Sequence, residues 1–323
     1  MTSPQFHPSR RSALGLLGAA LAMPRAAVAA GLAALSGEAF GTTWQLLAPT
    51  GADLAPVGPI IGDLFAEVDR RFSPWRPDSI LTRFNRLPAG LPVRDPDLVR
   101  VTAAALAIAR QSGGAFDPTV GPLVARWGFG PIREGGAPDW QGLAASAQGL
   151  TKSRDDLTLD LCGIAKGWAL DRAAASVEAA GFDDFLFELG GEIVTRGRHP
   201  DDRDWRVAVE SPDALAAPAL RLPGGTAVAT SGQWRQGYSL AGRVYGHIID
   251  SGRAEPVSDG LLSVTVVGED AMTADGWATA LCAAGAERGA ELAASLDLAA
   301  LFLIEDGGAR RTVRTGRIAD LIL

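Results

Sequence analysis

A lysine between two glycines is the residue of this sequence best placed to meet an anion. Lys166 lies in the stretch DLCGIAKGWALDRA, residues 160–173, and is one of only two lysines among 30 basic residues. The stretch predicts a strand end, a turn at Gly163 and a helix start, which puts Lys166 in the first helical turn. A lysine opposes the helix dipole there, whereas unpaired N–H groups and flanking glycines suit a phosphate. A solvated lysine at a fraying helix end explains the local pattern equally well, and the spacing is not that of a P-loop.

A carboxylate and a hydroxyl form a second candidate site in the segment MTADGWATALCAAG. Asp275 and Thr279 are four residues apart, so on a helix their side chains share one face, one turn apart. Together they suit a hard cation such as Mg²⁺. A structural explanation is also strong, because an acid early in a helix favours the dipole and a threonine can bond its own backbone.

One histidine is placed for acid–base chemistry near neutral pH. The chain has three histidines, of which His7 lies in the N-terminal segment and His199 in the polar loop RGRHPDDRD. His247, in YGHIIDSG, is therefore the candidate base. A strand-end histidine bonded to the backbone is the common alternative.

Alternating helix and strand signals surround these candidate residues. Helical patterns cover residues 53–70, 95–112 and 164–180 and the segment TADGWATALCAAG, with Asp95 as an N-cap. Residues 111–130 are predicted to be mostly loop or short turns. Strand patterns occur in LTLDL (157–161), DFLFELGGEIVTRG with a bulge at its Gly-Gly pair, WRVAVE, GTAVATS, RVYGHIID, LLSVTVVG and LAALFLIE. Strands in runs with few long helices predict an α+β fold rather than a doubly wound sheet.

The composition excludes several classes of protein. The chain has 323 residues, 47% of them hydrophobic and 21% charged, which is typical of a globular protein with a substantial core. The formal net charge of −7 argues against nucleic acid as a partner. Cys162 and Cys282 are far apart and have no zinc-binding spacing.

The first 30 residues predict an export signal. Arg10 and Arg11 precede an apolar run at residues 13–23, and a small-residue cleavage pattern follows. The run is shorter than the roughly 20 residues that span a bilayer. The arginine pair favours the twin-arginine route over an ordinary Sec signal. We therefore expect a signal peptide at 1–30 and a periplasmic protein of residues 31–323 that is not an integral membrane protein.

Eight short motifs, taken in chain order, resemble those of the FAD:protein FMN transferases, the ApbE family. They are FGTTW (40–44), FSPWRPDSILTRFN (72–85), GAFDPTVGPLVARWGFG (114–130), DLCGIAKGWALDRA (160–173), LGGEI (189–193), TSG (230–232), HIID (247–250) and ADGWATAL (274–281). The resemblance extends from about residue 39 to residue 285 and covers nearly all of the chain after the signal peptide. Each motif is weak by itself, but eight in the same order do not arise by chance.

The resemblance implies a fold and a reaction. The fold would be the T-fold-like ApbE fold, one large α+β domain with mixed, mainly antiparallel sheets and flanking helices. The reaction would be Mg²⁺-dependent transfer of FMN from FAD, through a phosphoester bond, to a serine or threonine hydroxyl of an acceptor protein, with release of AMP. The acceptor would be a flavoprotein of a membrane redox complex that faces the periplasm.

The resemblance also assigns roles to residues. The metal ligands would be Asp275, Thr279 and the backbone carbonyl of Gly163, and His247 would be the base for the acceptor hydroxyl, with Asp275 also counted as catalytic. Contacts to FAD would come from the following residues: Phe40, Trp75, Ala115, Phe116, Asp117, Asp160, Lys166 and Ile249.

Departures from the family pattern and two rival functions remain open at this level. Glu188 stands where the family usually has asparagine, and no proline follows Asp250. A periplasmic protein that binds FAD, or that hydrolyses it without protein transfer, would keep most of these motifs. A nicotinamide-dependent oxidoreductase would need a GxGxxG after a first strand, and the sequence has none.

Overall fold

Residues 31–209, 218–233, 237–240 and 243–323 are described by the structure, which is a computed structural model. The predicted signal peptide, residues 1–30, lies outside the described residues. The helices α1 to α7 are Val57–Phe72, Ile80–Arg86, Pro96–Gln111, Gly121–Arg126, Ala165–Ala179, Ala271–Ala284 and Ala286–Ser295. The strands β1 to β16 are Leu32–Ala39, Thr42–Pro49, Leu143–Ser146, Gly149–Lys152, Phe185–Leu189, Glu192–Arg196, Trp205–Ala208, Ala219–Leu222, Ala227–Gly232, Gly237–Leu240, Arg243–Gly246, Ile249–Asp250, Glu255–Pro256, Leu261–Gly268, Ala299–Asp306 and Ala309–Thr315. Short 3₁₀ helices cover Trp140–Gly142 and Gly316–Leu321.

Eight of these strands form one continuous sheet in the order β1-β2-β5-β6-β9-β14-β15-β16. Every neighbouring pair in it is antiparallel. The other strands pair two by two, as β3–β4, β7–β8, β10–β11 and β12–β13. The seven described α-helices all lie in two long connections, between β2 and β5 and between β14 and β15. The strands that each connection joins are neighbours in the sheet.

The sheet has a core on each face, because side chains alternate along a strand. In β15, Phe302 and Ile304 belong to the larger core, whereas Leu301 belongs to the smaller one. The larger core lies between the sheet and the helices, and the smaller one is covered by β7, β8 and the C-terminal 3₁₀ helix. The predicted α+β fold, with a mainly antiparallel sheet and flanking helices, is confirmed.

The helices that carry the candidate site agree with their sequence signals. Helix α3 begins at Pro96, and the Asp95 carboxylate accepts the backbone N–H of Leu98 at 2.9 Å, as an N-cap should. Helix α5 covers nearly all of the predicted range 164–180, and Gly181 follows it with a φ of 91°. Helix α6 lies between β14 and β15, as predicted. Among the described residues, no helix combines the length and the apolar character needed to cross a bilayer.

The prediction of a strand at residues 157–161 is wrong. Leu157, Leu159 and Leu161 are fully buried, which explains the alternating pattern, but these residues belong to no strand. The backbone N–H of Leu159 donates to the Asn85 side-chain oxygen at 2.7 Å, and its carbonyl accepts from the Asn85 amide at 2.9 Å. An asparagine side chain therefore occupies the place that a neighbouring strand would take.

The Gly-Gly pair of DFLFELGGEIVTRG forms a turn rather than the predicted bulge. Gly190 and Gly191 join β5 to β6 with φ values of 59° and 107°, a left-handed conformation that glycine adopts without strain. The same kind of turn, at Phe40 and Gly41, joins β1 to β2 and was not predicted. A Cβ at Gly190 would stand 2.6 Å from Thr42 Cγ2, so the two turns lie side by side.

Candidate functional site

The N-terminal turns of two helices meet at the candidate site. Helix α5 approaches helix α6 so closely that a Cβ at Gly167 would overlap the carbonyl oxygen of Ala271. Asp171, one turn further along α5, accepts the backbone N–H of Ala271 at 2.8 Å and that of Met272 at 2.9 Å. These contacts hold the N-terminus of α6, the helix that carries both side chains predicted to bind metal.

Asp275 supplies a buried carboxylate to the site. Only 3% of the residue is exposed, and its Oδ2 accepts the backbone N–H of Gly167 at 3.0 Å. Burial raises the pKa of Asp275, while the Lys166 ammonium and the Gly167 N–H oppose that rise. A carboxylate in this position is stabilised by added positive charge, because burial deprives it of water.

Thr279 lies directly against the turn at Gly163. A Cβ added at Gly163 would stand 2.8 Å from Thr279 Cγ2 and 3.1 Å from its Oγ1, so only glycine fits this turn. The Thr279 hydroxyl also hydrogen-bonds with the Ser231 hydroxyl at 3.2 Å. The structure thus brings the backbone of residue 163 beside the helix face that carries Asp275.

Lys166 forms an ion pair with Glu192 on β6. The Lys166 side chain is 32% exposed, whereas that of Glu192 is 2% exposed. Within the described part of the chain, the second Glu192 oxygen, Oε2, is buried without a hydrogen-bond partner. Burial raises the pKa of Glu192, although Lys166 opposes this. Burial alone would lower the pKa of Lys166, but Glu192 and Asp275 outweigh it and raise that pKa. Lys166 therefore pairs with a buried carboxylate, while about a third of its side chain, 32%, is exposed.

Two further loops border this group. A Cβ at Gly163 would stand 3.3 Å from Phe116 Cε2, which places the buried Phe116 ring at the turn. Asp117 accepts the backbone N–H of Thr119 at 2.8 Å and its hydroxyl at 2.5 Å, and burial raises the pKa of Asp117. Asp160 donates its N–H to the carbonyl of residue 118 at 2.7 Å and accepts the N–H of residue 162 at 2.9 Å.

The two predicted aromatic contacts to FAD lie on turns. Phe40 sits at the tip of the β1–β2 hairpin and packs edge-on against Phe65, with ring centroids 5.4 Å apart. Trp75 follows α1 and is 63% exposed. A large ring so exposed is available to a planar ligand.

His247 adjoins a column of aromatic rings. Its ring centroid is 6.3 Å from that of Phe129. Phe129 stacks on Tyr238 at 5.4 Å, and Tyr238 stacks on Tyr245 at 5.5 Å. Trp127 continues the column at 5.5 Å from Tyr245. The candidate base thus follows the β10–β11 hairpin, whose aromatic side chains pack on residues 127–129.

Ile249 is buried on strand β12, where it pairs with Pro256. Two residues later, the Ser251 hydroxyl donates to the carbonyl of Gly114 at 3.1 Å. This contact joins the HIID segment to the loop that contains Ala115.

The structure brings some of the predicted residues into one contiguous group, which consists of Phe116, Gly163, Lys166, Asp275 and Thr279. Asp117 and Asp160 lie on the two loops that border this group. The predicted aromatic residues on turns and the candidate base contact other parts of the fold.

Three residues of this arrangement were missed from the sequence. Glu192 pairs with Lys166, Ser231 bonds Thr279, and Asp171 caps α6. Glu192 and Ser231 lie inside the motifs LGGEI and TSG, but no local signal shows that a single acid on a strand is buried. The partners of Asp171, the N–H groups of Ala271 and Met272, are about a hundred residues away in the sequence, so only the packing of α5 on α6 reveals them.

The donor set at Gly163, Asp275 and Thr279 fits a magnesium ion. It offers one carboxylate and neutral oxygens, and Mg²⁺ is usually bound by one or two carboxylates together with waters and substrate phosphates. Among the described residues, no group of three or more histidine, cysteine, aspartate or glutamate side chains could hold a metal.

Known proteins resemble this chain over most of its length. The model of the ApbE family matches residues 40–302. The FAD:protein FMN transferase of Vibrio cholerae serotype O1 is 36% identical over 290 residues, which cover 84% of this chain and 87% of that protein. The protein of the same name from Klebsiella pneumoniae is 33% identical, with 86% of each chain covered. The crystal structure of the apo form of Pseudomonas stutzeri flavinyl transferase ApbE superposes with a TM-score of 0.81 at 33% identity, covering 90% of this chain and 96% of that one.

Proposed function

The chain belongs to the ApbE family, and from this premise we propose that it is an FAD:protein FMN transferase that moves FMN from FAD to an acceptor protein. The observation that carries the proposal is the contiguous group at the meeting point of α5 and α6. It joins a lysine whose side chain is partly exposed, a buried carboxylate, a hydroxyl and a turn at a glycine. These are the groups that a pyrophosphate and its counter-ion require.

The proposed reaction breaks the phosphoanhydride bond of FAD and forms a phosphoester bond to the acceptor. The acceptor hydroxyl oxygen bonds to the phosphorus of the FMN half, and the bond from that phosphorus to the bridging oxygen breaks. The bridging oxygen leaves with AMP, and the hydroxyl proton passes to His247. A bound Mg²⁺ would neutralise charge on the phosphate oxygens. Asp275, Thr279 and the Gly163 carbonyl would hold that ion, and Lys166 would hold the pyrophosphate.

The flavin itself would lie along the neighbouring loops. Phe40 and Trp75 offer ring faces and edges for an isoalloxazine system. The remaining predicted contacts belong to the two border loops and to the segment at Ile249, which the Ser251–Gly114 hydrogen bond connects to the Ala115 loop. The motif resemblance is the support for these contacts of the flavin.

We also propose that the protein acts in the periplasm on an acceptor of a membrane redox complex. The support is the arginine pair and short apolar run in residues 1–30. Replacing Arg10 and Arg11 by lysine should leave the precursor in the cytoplasm, as cell fractionation and immunoblotting would show. Normal export of that variant, or export without the twin-arginine translocase, would point to the Sec route.

Incubation with FAD, Mg²⁺ and candidate acceptors, followed by intact-protein mass measurement, tests the proposed transfer. The acceptor should gain the mass of FMN less water, and its flavin should survive denaturation. A matched acceptor whose target serine or threonine is alanine should stay unlabelled. Free FMN and AMP as the only products, with every acceptor unlabelled, would identify a pyrophosphatase instead.

A further inference from the structure

The segment that leads into the site is held by side chains rather than by a partner strand. Residues 157–163 lie in the connection between β4 and α5 and end at Gly163, whose backbone lies against Thr279. At Leu159, both backbone groups are bonded by the side chain of Asn85, at 2.7 Å and 2.9 Å. The next residue, Asp160, is one of the proposed FAD contacts. The Asn85 side chain thus holds the backbone of Leu159, the residue before Asp160.

The second lysine of the chain supports the same segment. Lys152 is 2% exposed, and its ammonium donates to the backbone carbonyls of Asn85 at 2.8 Å, Asp155 at 2.9 Å and Leu157 at 2.9 Å. An ammonium has three N–H donors, so each of them has a carbonyl partner. Burial lowers the pKa of Lys152, while the nearby acidic side chains of Asp155 and residue 156 oppose this. Lys152 therefore joins the end of α2, the end of β4 and the segment at 157 into one unit.

We propose that Asn85 and Lys152 are positioning residues of the transfer site, which hold residues 157–161 so that Asp160 and Gly163 are in place before FAD binds. The inference rests on the proposed function of that site. Neither side chain is part of the contiguous group, and both act through the backbone of the segment. Preorganisation of this kind increases affinity, because the ligand does not have to order the backbone itself.

The number and position of these bonds favour positioning over general support of the fold. A neighbouring strand would bond every second residue, whereas the two hydrogen bonds of the Asn85 side chain both go to Leu159, directly before Asp160. On the other side, the Asp160 N–H bonds the carbonyl of Pro118. The segment is thus fixed at two adjacent residues next to the site, and a shift of about 1 Å at such a place can reduce a rate by about a hundredfold.

Titration of FAD into the protein at saturating Mg²⁺, followed by flavin fluorescence, tests the proposal without requiring turnover. Asn85→Ala should raise the dissociation constant about tenfold or more, because two backbone hydrogen bonds of ordinary strength are together of that order. Asn85→Asp, which keeps the acceptor for Leu159 N–H but loses the donor, should also weaken binding. Lys152→Met should do so too, and the double variant should lose less than the product of the single effects.

Ser79→Ala is the matched control. Ser79 caps the same helix, α2, by accepting the backbone N–H of Thr82 at 3.0 Å, and it does not bond the segment at Leu159. Its loss should lower the melting temperature while the FAD dissociation constant stays within about twofold, since a capping bond has about the strength of the bonds lost in Asn85→Ala. A Mg²⁺ titration of FAD binding should show a higher half-saturating concentration in Asn85→Ala and an unchanged one in Ser79→Ala.

Two results would overturn the proposal. One is wild-type FAD affinity in a folded Asn85→Ala or Asn85→Asp protein. The other is failure of both variants to fold while Ser79→Ala folds, because the asparagine would then serve the fold and not the site. If the wild-type protein binds FAD but labels no acceptor, the proposed transfer fails while the comparison of binding constants still decides the role of Asn85.

Discussion

At the scale of single residues, Lys166 is the side chain whose environment says most about the ligand. A lysine in the first turn of a helix opposes the helix dipole, and here Glu192 and Asp275 supply the negative charge that keeps it ionised. The pair is asymmetric, because the Glu192 side chain is 2% exposed and that of Lys166 is 32% exposed. The ion pair with Glu192 orients the Lys166 ammonium before a ligand binds.

Replacing Lys166 tests this reading of the site. Lys166→Ala should weaken FAD binding by about ten- to a hundredfold, since a hydrogen bond to a charged group contributes roughly 1.5–3 kcal/mol. The single variant leaves the buried Glu192 carboxylate unpaired, so the double variant with Glu192→Gln is the control for folding. Fluorescence titration and thermal melting would measure the two effects. Unchanged FAD affinity in both variants would show that Lys166 does not contact FAD.

The carboxylate and the hydroxyl of α6 should differ in importance. Asp275→Ala should reduce turnover by more than the roughly 10- to 100-fold typical of groups outside the ligand sphere, because it removes the only charge among the proposed ligands. Thr279→Ala should be milder, since water can replace a neutral oxygen. Rates over a Mg²⁺ titration would measure both. Wild-type activity of Asp275→Ala at limiting Mg²⁺ would contradict the proposed ion site.

At the scale of elements, the site depends on how two helix N-termini are held together. Gly167 permits the contact, and Asp171 bonds two backbone N–H groups at the start of α6. Burial raises the pKa of Asp171 to about 6, and Asp270 adds to that rise, whereas the two N–H groups and Arg196 oppose it. The Asp171 carboxyl group therefore binds a proton more readily in the folded protein than in the unfolded chain.

This shift predicts how stability depends on pH. A carboxyl group whose folded pKa exceeds its unfolded value of about 3.9 makes the protein more stable as pH falls from about 7 through 6 towards 4. We expect the free energy of unfolding of the wild type, relative to that of Asp171→Asn, to increase over this window. Urea denaturation of both proteins at several pH values measures the difference. A difference that is constant with pH, or that decreases on acidification, would contradict the raised pKa.

In the molecule as a whole, the sequence predicted helices from local caps and periodicity better than it predicted contacts between residues far apart in the chain. Helices α3, α5 and α6 follow their periodicity because caps and stops such as Asp95 and Gly181 are local. The alternating leucines at residues 157–161 are buried, but their backbone is not paired with another strand. The sequence therefore could not distinguish a strand from a segment that the Asn85 side chain bonds. Residue type and spacing singled out Lys166, Asp275 and Thr279, but the metal role of the Gly163 carbonyl came from the motif resemblance, since no spacing shows that Gly163 touches Thr279. Glu192 was missed for the same reason.

Cleavage of FAD and labelling of the acceptor should be one coupled reaction. Simultaneous quantification of AMP and of flavin-labelled acceptor, in one mixture with FAD and Mg²⁺, tests this coupling. We expect AMP and labelled acceptor to form in equal amounts. His247→Ala should slow the formation of both by about 10²–10⁴-fold, the usual contribution of a positioned base, while FAD affinity is retained. Release of AMP with free FMN and an unlabelled acceptor would show that the two events are not coupled.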